Sequence, residues 1–393
     1  MTVVTFNCME ENKIDSKGMV LDGKHTLNSS SGGCPVVDHI GDVSKQCYYH
    51  DYLQLDTILS CQKLESVRVG RPAHDEHLFI TVHQSHELWF KQIIHELDSV
   101  RSIFSEDFVS DENLGRACDR LGRIVLILDS LQSQLTVLES MSPMGFLEFR
   151  NLLAPASGFQ SVQFRKIENM LGLRKESRIT YQGKSYCSYL SKEHAAVVQQ
   201  EEDFEKTLIA LVDRWLSRMP VIVNHGVRFW SLYTDGVSRM MDDEKEAVLG
   251  SNMSEQLKRE KLAEIENGKK QYLSIFTKES YMQRYKDKKF AVSFSALQAA
   301  LFISVYKDES VLHVANRLLT YLQEIDSTLV AWRYRHALMV RRMLGIKSGT
   351  GGSSGFAYLR ATANNHKIFQ DLNTSSYLIP RMYIPNRKQI FGI

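Results

Sequence analysis

The sequence predicts an all-helical fold, and three features of the chain support that prediction. From Tyr48 onward, apolar residues recur at helical spacing almost everywhere, whereas the alternating pattern of strands is hard to find. The chain holds seven prolines, and none lies between Pro220 and Pro380. Its 393 residues, 43% of them hydrophobic, suffice for a large core. We therefore expect a single helical domain over residues 47–393.

The first 46 residues differ in composition from the rest of the chain. They are rich in Ser, Gly, Asn and Asp, and we expect a flexible tail. They show no basic region followed by a long apolar run, so the sequence predicts no secretory signal. The longest apolar stretch, residues 297–306, is shorter than the ~20 residues of a membrane span. A cytoplasmic protein without a membrane partner is expected.

Charge and cysteine content indicate which kinds of ligand and which cysteine-based sites the sequence favours. Lys and Arg number 48 and Asp and Glu 46, which favours a small-molecule ligand over nucleic acid. The six cysteines form no Cys-x-x-Cys pair and no framework spacing. Residues 240–275 mix acids and bases densely, and we expect a solvated helical hairpin that protrudes from the domain. An arm that binds nucleic acid or a protein partner is the alternative interpretation of that segment.

Histidines concentrate in the predicted helix over residues 74–100. Five of the thirteen lie between His74 and His95, so this helix is the first candidate for polar chemistry. On a helical wheel, His83 and His86 fall within an apolar stripe that also holds Trp89. A hydrogen-bonded core histidine is the ordinary interpretation of such a position. A non-haem metal site built from this cluster stays open, because a carboxylate is available.

A second candidate segment surrounds Arg150. Ser142 and Pro143 are typical of a helix start, and the spacing places Phe146 and Arg150 on one face of the helix that follows. Residues 155–158 should break that helix. An arginine among aromatic residues either reaches the surface or grips a carboxylate in an apolar pocket.

A third candidate is the helix that contains His336. This histidine lies in an apolar stripe with Trp332 and Met339, and Arg333 lies to its side. Such surroundings suit either a core histidine or the edge of a haem. The segment after this helix has four glycines and three serines within residues 348–355, which favours an active-site lid over a linker.

These segments together resemble the tryptophan 2,3-dioxygenase family. The resemblance is carried by HDEHLFITVHQSHELWFKQI at 74–93, GFLEFRNLLAPASGFQSVQFR at 145–165 and WRYRHALMVRRMLGIKSGTGGSSG at 332–355. It extends from about residue 48 to residue 385. The related indoleamine dioxygenases share the chemistry of this family but not these motifs.

The resemblance implies haem b as cofactor, with His336 as the axial ligand of the iron. It places His83 on the opposite side of the haem, near the indole N–H of the substrate, and it makes Arg150 the clamp for the substrate carboxylate. It also assigns supporting positions to other residues, namely Phe79, Val82 and Phe146 against the substrate, Thr350 at its ammonium and carboxylate end, Ser157 and Gly158 along the haem, and Tyr49 and Tyr52 in the pocket of a neighbouring subunit.

The activity implied by the resemblance is the first step of tryptophan breakdown by the kynurenine pathway. With ferrous haem, L-tryptophan and O2 would give N-formyl-L-kynurenine, both oxygen atoms entering at the indole C2–C3 bond. The expected assembly is a homotetramer, a dimer of dimers. Two other classes remain, a non-haem metal enzyme and a helical scaffold without enzymatic activity.

Overall fold

The computed structural model describes residues 47–180, 185–286, 290–345, 347 and 355–392. The α-helices in these ranges are α1 Tyr49–Tyr52, α2 Leu55–Leu59, α3 Glu65–Arg68, α4 His74–Ser105, α5 Asp111–Leu138, α6 Pro143–Arg150, α7 Val162–Leu171, α8 Lys192–Gln199, α9 Leu208–Ser217, α10 Pro220–Leu249, α11 Glu255–Phe276, α12 Lys278–Lys286, α13 Phe294–Val305, α14 His313–Leu344, α15 Phe356–Asn365 and α16 Arg387–Phe391. Short 3-10 helices make up the other regular elements, and the described ranges contain no strand. The prediction of an all-α fold is confirmed.

The chain divides into two compact units, residues 1–59 and residues 60–393. In the first unit, α1 and α2 bury no residue. Tyr49 and Tyr52 are 70% and 74% exposed, and His50 Nε2 lies 3.7 Å from an Asp56 carboxylate oxygen. The predicted tail over residues 1–46 lies outside the described residues.

The core of the second unit forms around three long helices. The helix α5 packs against both α4 and α14 along much of their length. Each of the three helices contributes fully buried aliphatic side chains to one continuous cluster, for example Leu97, Leu131 and Leu322. By length and composition α5 could also cross a membrane, but 44% of its most apolar stretch is buried in this core.

The helix α4 begins at His74, as the sequence predicts, and its buried stripe includes Val82, His86 and Ile93. Trp89 departs from the prediction, since 39% of its surface is exposed. It lies at the edge of the stripe, where the curved surface of the helix turns away from its neighbours. Glu76 is fully buried and accepts the backbone N–H groups of Glu65 and Ser66, which fixes the segment before α4.

The charged segment at residues 240–275 lies in a helical hairpin that starts before this segment. It consists of α10 and α11, joined by residues 250–254. Met240 and Met241 are still buried in the core, whereas most side chains from Asp242 to Glu264 are exposed. The mixture of acids and bases therefore covers a solvated surface.

Two leucines of α5 provide a test of this packing. We expect Leu131→Ala to lower the free energy of unfolding by about 2–5 kcal/mol, because Leu131 is 0% exposed and its loss leaves a cavity. Leu126, on the same helix, is 70% exposed, so Leu126→Ala should cost less than about 0.5 kcal/mol. Denaturant titration of both variants checks this, and equal losses would contradict the placement of α5.

Candidate active site

A cavity of about 330 Å³ opens among α4, α5, α6, α7, α14 and α15. Its walls are mostly apolar and aromatic side chains, with a few polar groups. The cavity brings together every predicted site residue of the second unit that the structure describes, namely Phe79, Val82, His83, Phe146, Arg150, Ser157, Gly158 and His336. Thr350 lies outside the described residues, and Tyr49 and Tyr52 belong to the first unit.

One wall of the cavity is the stripe of α14 that carries His336. Met339 and Met343 are buried beside it, and the Trp332 ring stacks on the imidazole with 5.6 Å between ring centroids. Burial lowers the pKa of His336 to about 4, and the nearby His83 and His86 contribute to the lowering. The imidazole is therefore neutral at neutral pH, and within the described ranges no hydrogen bond occupies its nitrogens. A neutral imidazole with a free lone pair is what an axial haem ligand requires.

The α4 wall presents His83 to the cavity. Its Nδ1–H donates to the carbonyl oxygen of Phe79 at 2.7 Å, which leaves Nε2 as a hydrogen-bond acceptor. The part of the His83 side chain that faces the cavity is accessible to solvent. Protein atoms surround the rest of the ring. This burial lowers the pKa of His83, against the opposing effect of the Phe79 carbonyl. The Phe79 ring packs against both His83 and Phe146, with centroids 4.1 Å and 5.9 Å away.

The helix α6 places Arg150 at the cavity. The Ser142 side chain caps this helix by accepting the Gly145 N–H at 2.9 Å, and Pro143 occupies its first turn, as the sequence predicts. Phe149 is fully buried and anchors α6 to the core. Phe146 and Arg150, one turn apart, then both line the cavity. A guanidinium at an apolar wall can hold a carboxylate with two parallel hydrogen bonds.

The turn after α6 forms another part of the wall. Ser157 caps the 3-10 helix Gly158–Gln160: its Oγ accepts the Phe159 N–H at 3.4 Å, and Gln160 Oε1 accepts the Ser157 N–H at 3.2 Å. The space beside the Gly158 Cα is open, since a Cβ at this position would meet no protein atom within 4 Å. The helix break predicted at residues 155–158 is confirmed.

Glu87 is a wall residue to which the sequence gives no role. It accepts the Ser161 hydroxyl at 2.7 Å and the Gln163 amide at 2.9 Å. Ser161 also caps α7 by accepting the Phe164 N–H. The carboxylate therefore fixes the start of α7 to α4, which positions the turn that lines the cavity.

A buried ionic cluster around Glu168 is the main feature that the sequence does not predict. Its carboxylate accepts hydrogen bonds from Arg165 at 2.8 Å, Arg178 at 2.6 Å and Arg333 at 2.9 Å. His366 accepts the Ile179 N–H through Nε2, so its Nδ1 carries a proton, and Nδ1 lies 3.6 Å from Glu168. Arg333 lies beside the α14 stripe, as expected, but it is only 5% exposed and lines the cavity.

The balance of charges in this cluster stabilises the glutamate anion. Burial alone would raise the pKa of Glu168, but the positive charges of Arg165, Arg178 and Arg333 and the proton of His366 lower it well below the ordinary value. The cluster joins α7 and α14, which line the cavity, to the segment after α15.

The fold and the cavity together define a class of protein, an all-helical protein with an apolar cavity lined in part by histidine and arginine side chains. The residues fit haem, because the wall is apolar, His336 offers an unprotonated nitrogen and open space lies beside Gly158. A metal site built from His74 to His86 has no support. Within the described ranges no three His, Cys, Asp or Glu side chains lie close enough together to hold a metal ion.

Comparison with known proteins gives the family. The profile of the tryptophan 2,3-dioxygenase family matches residues 38–378. Tryptophan 2,3-dioxygenase of Dictyostelium discoideum is 44% identical over 349 residues, which cover 88% of this chain and 87% of that protein. The enzyme of Alteromonas mediterranea is 42% identical (86% and 94% covered), and that of Rattus norvegicus is 43% identical (87% and 84% covered). The chain belongs to the tryptophan 2,3-dioxygenase family.

The Glu168 cluster predicts a specific acid sensitivity. Because the pKa of Glu168 is lowered in the folded chain, its ion pairs stabilise the fold above the ordinary value of 4.5. That stabilisation is lost as the pH falls through 4.5 toward the folded pKa. We expect Glu168→Gln to cost about 3–5 kcal/mol at pH 7 and to flatten the decline of stability below pH 4.5.

Unfolding free energies measured between pH 7 and pH 3 check this prediction. The control is Glu264→Gln, which removes an exposed carboxylate paired with Lys261 and should change stability by less than about 1 kcal/mol. An unchanged acid profile in Glu168→Gln would show that other groups govern the acid sensitivity.

Proposed function

We propose that this chain binds haem b and uses O2 to convert L-tryptophan to N-formyl-L-kynurenine, the first step of the kynurenine pathway. Both oxygen atoms enter at the indole C2–C3 bond. The observation that carries the proposal is the meeting of His336, His83 and Arg150 at one apolar cavity, from three helices that are far apart in the sequence. The family to which the chain belongs carries the same activity in its name.

His336 is the proposed axial ligand. Its neutral imidazole, held by the stacked Trp332 ring, can donate a nitrogen lone pair to iron without first losing a proton. Ser157 and Gly158 would lie along the porphyrin edge. Ferrous haem supplies the iron at which O2 is activated, while the protein supplies orientation and a cavity with few polar groups.

The remaining residues are proposed to bind and orient the substrate. Arg150 holds the carboxylate of L-tryptophan, and His83 Nε2 accepts a hydrogen bond from the indole N–H. Phe79 and Phe146 pack against the aromatic ring, with Val82 one turn from Phe79. Fixing both ends of the substrate keeps the C2–C3 bond in one place, which lowers the entropic part of the barrier.

Further proposals concern the assembly. Tyr49 and Tyr52, both exposed in the isolated chain, would complete the pocket of a neighbouring subunit in a homotetramer built as a dimer of dimers. Thr350 would meet the ammonium and carboxylate end of the substrate. The proposal also includes a single domain over residues 47–393, preceded by a flexible tail over residues 1–46. The protein is proposed to be cytoplasmic, without nucleic-acid or membrane partners.

Isotope labelling tests the activity. The purified full-length chain is incubated with L-tryptophan under 18-O2, and the product is analysed by mass spectrometry. Two labelled oxygen atoms in N-formyl-L-kynurenine support the proposal. One labelled atom, or a product with the indole ring intact, would overturn it.

The two cavity histidines should differ in their effect on haem content. We expect His336→Ala to abolish haem retention, because no other neutral imidazole stands in its place on α14. His83→Ala should keep the haem and lower turnover, because this residue contacts the substrate instead of the iron. Haem content per chain after purification checks both variants, and full haem occupancy in His336→Ala would contradict the ligand assignment.

Arg150 should contribute to substrate affinity through its charge and its geometry. We expect Arg150→Gln to raise KM for L-tryptophan roughly 10-fold to 100-fold, because a charge-assisted bond is worth about 1.5–3 kcal/mol. Haem content should not change.

Tryptamine, which lacks the carboxylate, provides the control for this variant. Its affinity should be equal for the original chain and for Arg150→Gln. A KM for L-tryptophan that stays unchanged in Arg150→Gln would remove the clamp assignment.

A further inference from the structure

The charged groups around the cavity carry an excess of positive charge. Arg150, Arg165 and Arg333 line it, whereas only two described carboxylates do so, those of Glu87 and Glu168. Directly behind Glu168, Arg178 adds another positive charge. A carboxylate of a ligand would fit such a wall, because an anion near buried arginines offsets part of the cost of their desolvation.

Arg150 belongs to α6 and is proposed to hold the substrate carboxylate. A tryptophan zwitterion also brings its own ammonium group and adds no net charge. The remaining positive charge lies with the arginines around Glu168. The question is which of these arginines can bind a further anion.

In two of them, both terminal nitrogens donate hydrogen bonds to groups of the protein. Arg333 donates from Nη1 to the His366 carbonyl at 3.0 Å and from Nη2 to Glu168 at 2.9 Å. Arg178 donates to Glu168 and to Asn169, both at 2.6 Å. Arg178 also does not line the cavity. Among the described residues, Arg178 Nε has no hydrogen-bond partner, but it is buried in a residue outside the cavity wall. Neither guanidinium therefore offers a terminal nitrogen to a ligand in the cavity.

Arg165 is different. It donates to Glu168 through Nη1 alone, and in the described part of the chain Nη2 has no partner. Its side chain is 12% exposed and lines the cavity, and its guanidinium lies 5.2 Å from the centroid of the Phe164 ring. Glu168 and the Phe164 ring fix the position of the guanidinium while one of its nitrogens remains available. A held guanidinium is a preorganised carboxylate receptor.

We propose that Arg165 forms a carboxylate-binding subsite in this cavity and that it holds a propionate carboxylate of the haem. The inference rests on the proposed function, since it takes haem to be the cofactor. Haem b carries two propionates, and the carboxylate of either one could accept a hydrogen bond from Arg165 Nη2. Glu168 is a positioning residue in this account, because it orients Arg165 and does not contact the ligand.

The test compares haem with its dimethyl ester, in which both carboxylates are masked. The full-length chain is produced under haem limitation and titrated with each compound, followed by absorbance. We expect Arg165→Gln to weaken haem binding roughly 10-fold to 100-fold and to leave binding of the dimethyl ester nearly unchanged. Arg165→Lys keeps the positive charge but replaces the planar guanidinium with an ammonium group. It should therefore weaken haem binding to an intermediate extent.

Arg178→Gln is the matched control. It also removes a hydrogen bond to Glu168, but from a residue outside the cavity wall, so any loss of affinity should be the same for haem and for the ester. Equal losses in Arg165→Gln would show that Arg165 acts only through the structure. If Arg165→Gln does not fold, equal binding of both compounds by Arg165→Lys and by the original chain overturns the proposal.

Two further outcomes are distinguishable. If Arg165→Gln loses the preference for L-tryptophan over tryptamine while its preference for haem over the ester persists, the subsite serves the substrate and the inference is wrong. If the original chain binds neither haem nor the ester, the proposed function itself fails.

Discussion

The packing of α5 against both α4 and α14 is the constraint on which the site depends. Each of these three helices buries an apolar stripe in the same core, and the order of that core fixes how α4 and α14 face each other. The stripes of α4 and α14 each carry a histidine at the cavity, His83 and His336. Neither histidine could define a site alone, because a single imidazole in an apolar stripe is usually a core residue. The site follows from bringing the two stripes together.

The cavity wall combines neutral histidines with charged arginines. Burial keeps the imidazoles of His83 and His336 neutral, so that both have a nitrogen that can accept or ligate. At the same time the Glu168 carboxylate pairs with Arg165 and Arg333 within the same wall. Neutral and cationic groups can coexist there because the arginines around Glu168 share a carboxylate that offsets part of their desolvation. The cavity is thus suited to a ligand that is mostly apolar but carries acidic groups.

Much of the fold and part of the site could be predicted from local pattern. Helical periodicity places Phe146 and Arg150 on one face, and the cap at Ser142 is recognisable from residue type. The end of α14 is also local, since Gly345 adopts a positive φ of 59° that favours glycine. Such features depend on residues within a few positions of each other.

The rest could not be predicted because it depends on distant residues. Glu168 and Arg333 are separated by 165 positions, so no periodicity connects them. Glu87 has a role only because Ser161 and Gln163 come to it from the start of α7. A helical wheel puts Trp89 in the buried stripe, but it does not show where neighbouring helices stop covering the surface. The roles of all the site residues, including Thr350, Tyr49 and Tyr52, stay predictions.

The central claim is that this apolar cavity would hold haem through the neutral imidazole of His336, and that haem bound there would still react with a small ligand. An absorption spectrum of the purified full-length chain tests it most directly, recorded as isolated, after reduction with dithionite and after addition of carbon monoxide. A Soret band that shifts on reduction and shifts again with carbon monoxide is the predicted result. A chain supplied with haem during expression that shows no Soret band, or a reduced spectrum that carbon monoxide does not change, would contradict the claim.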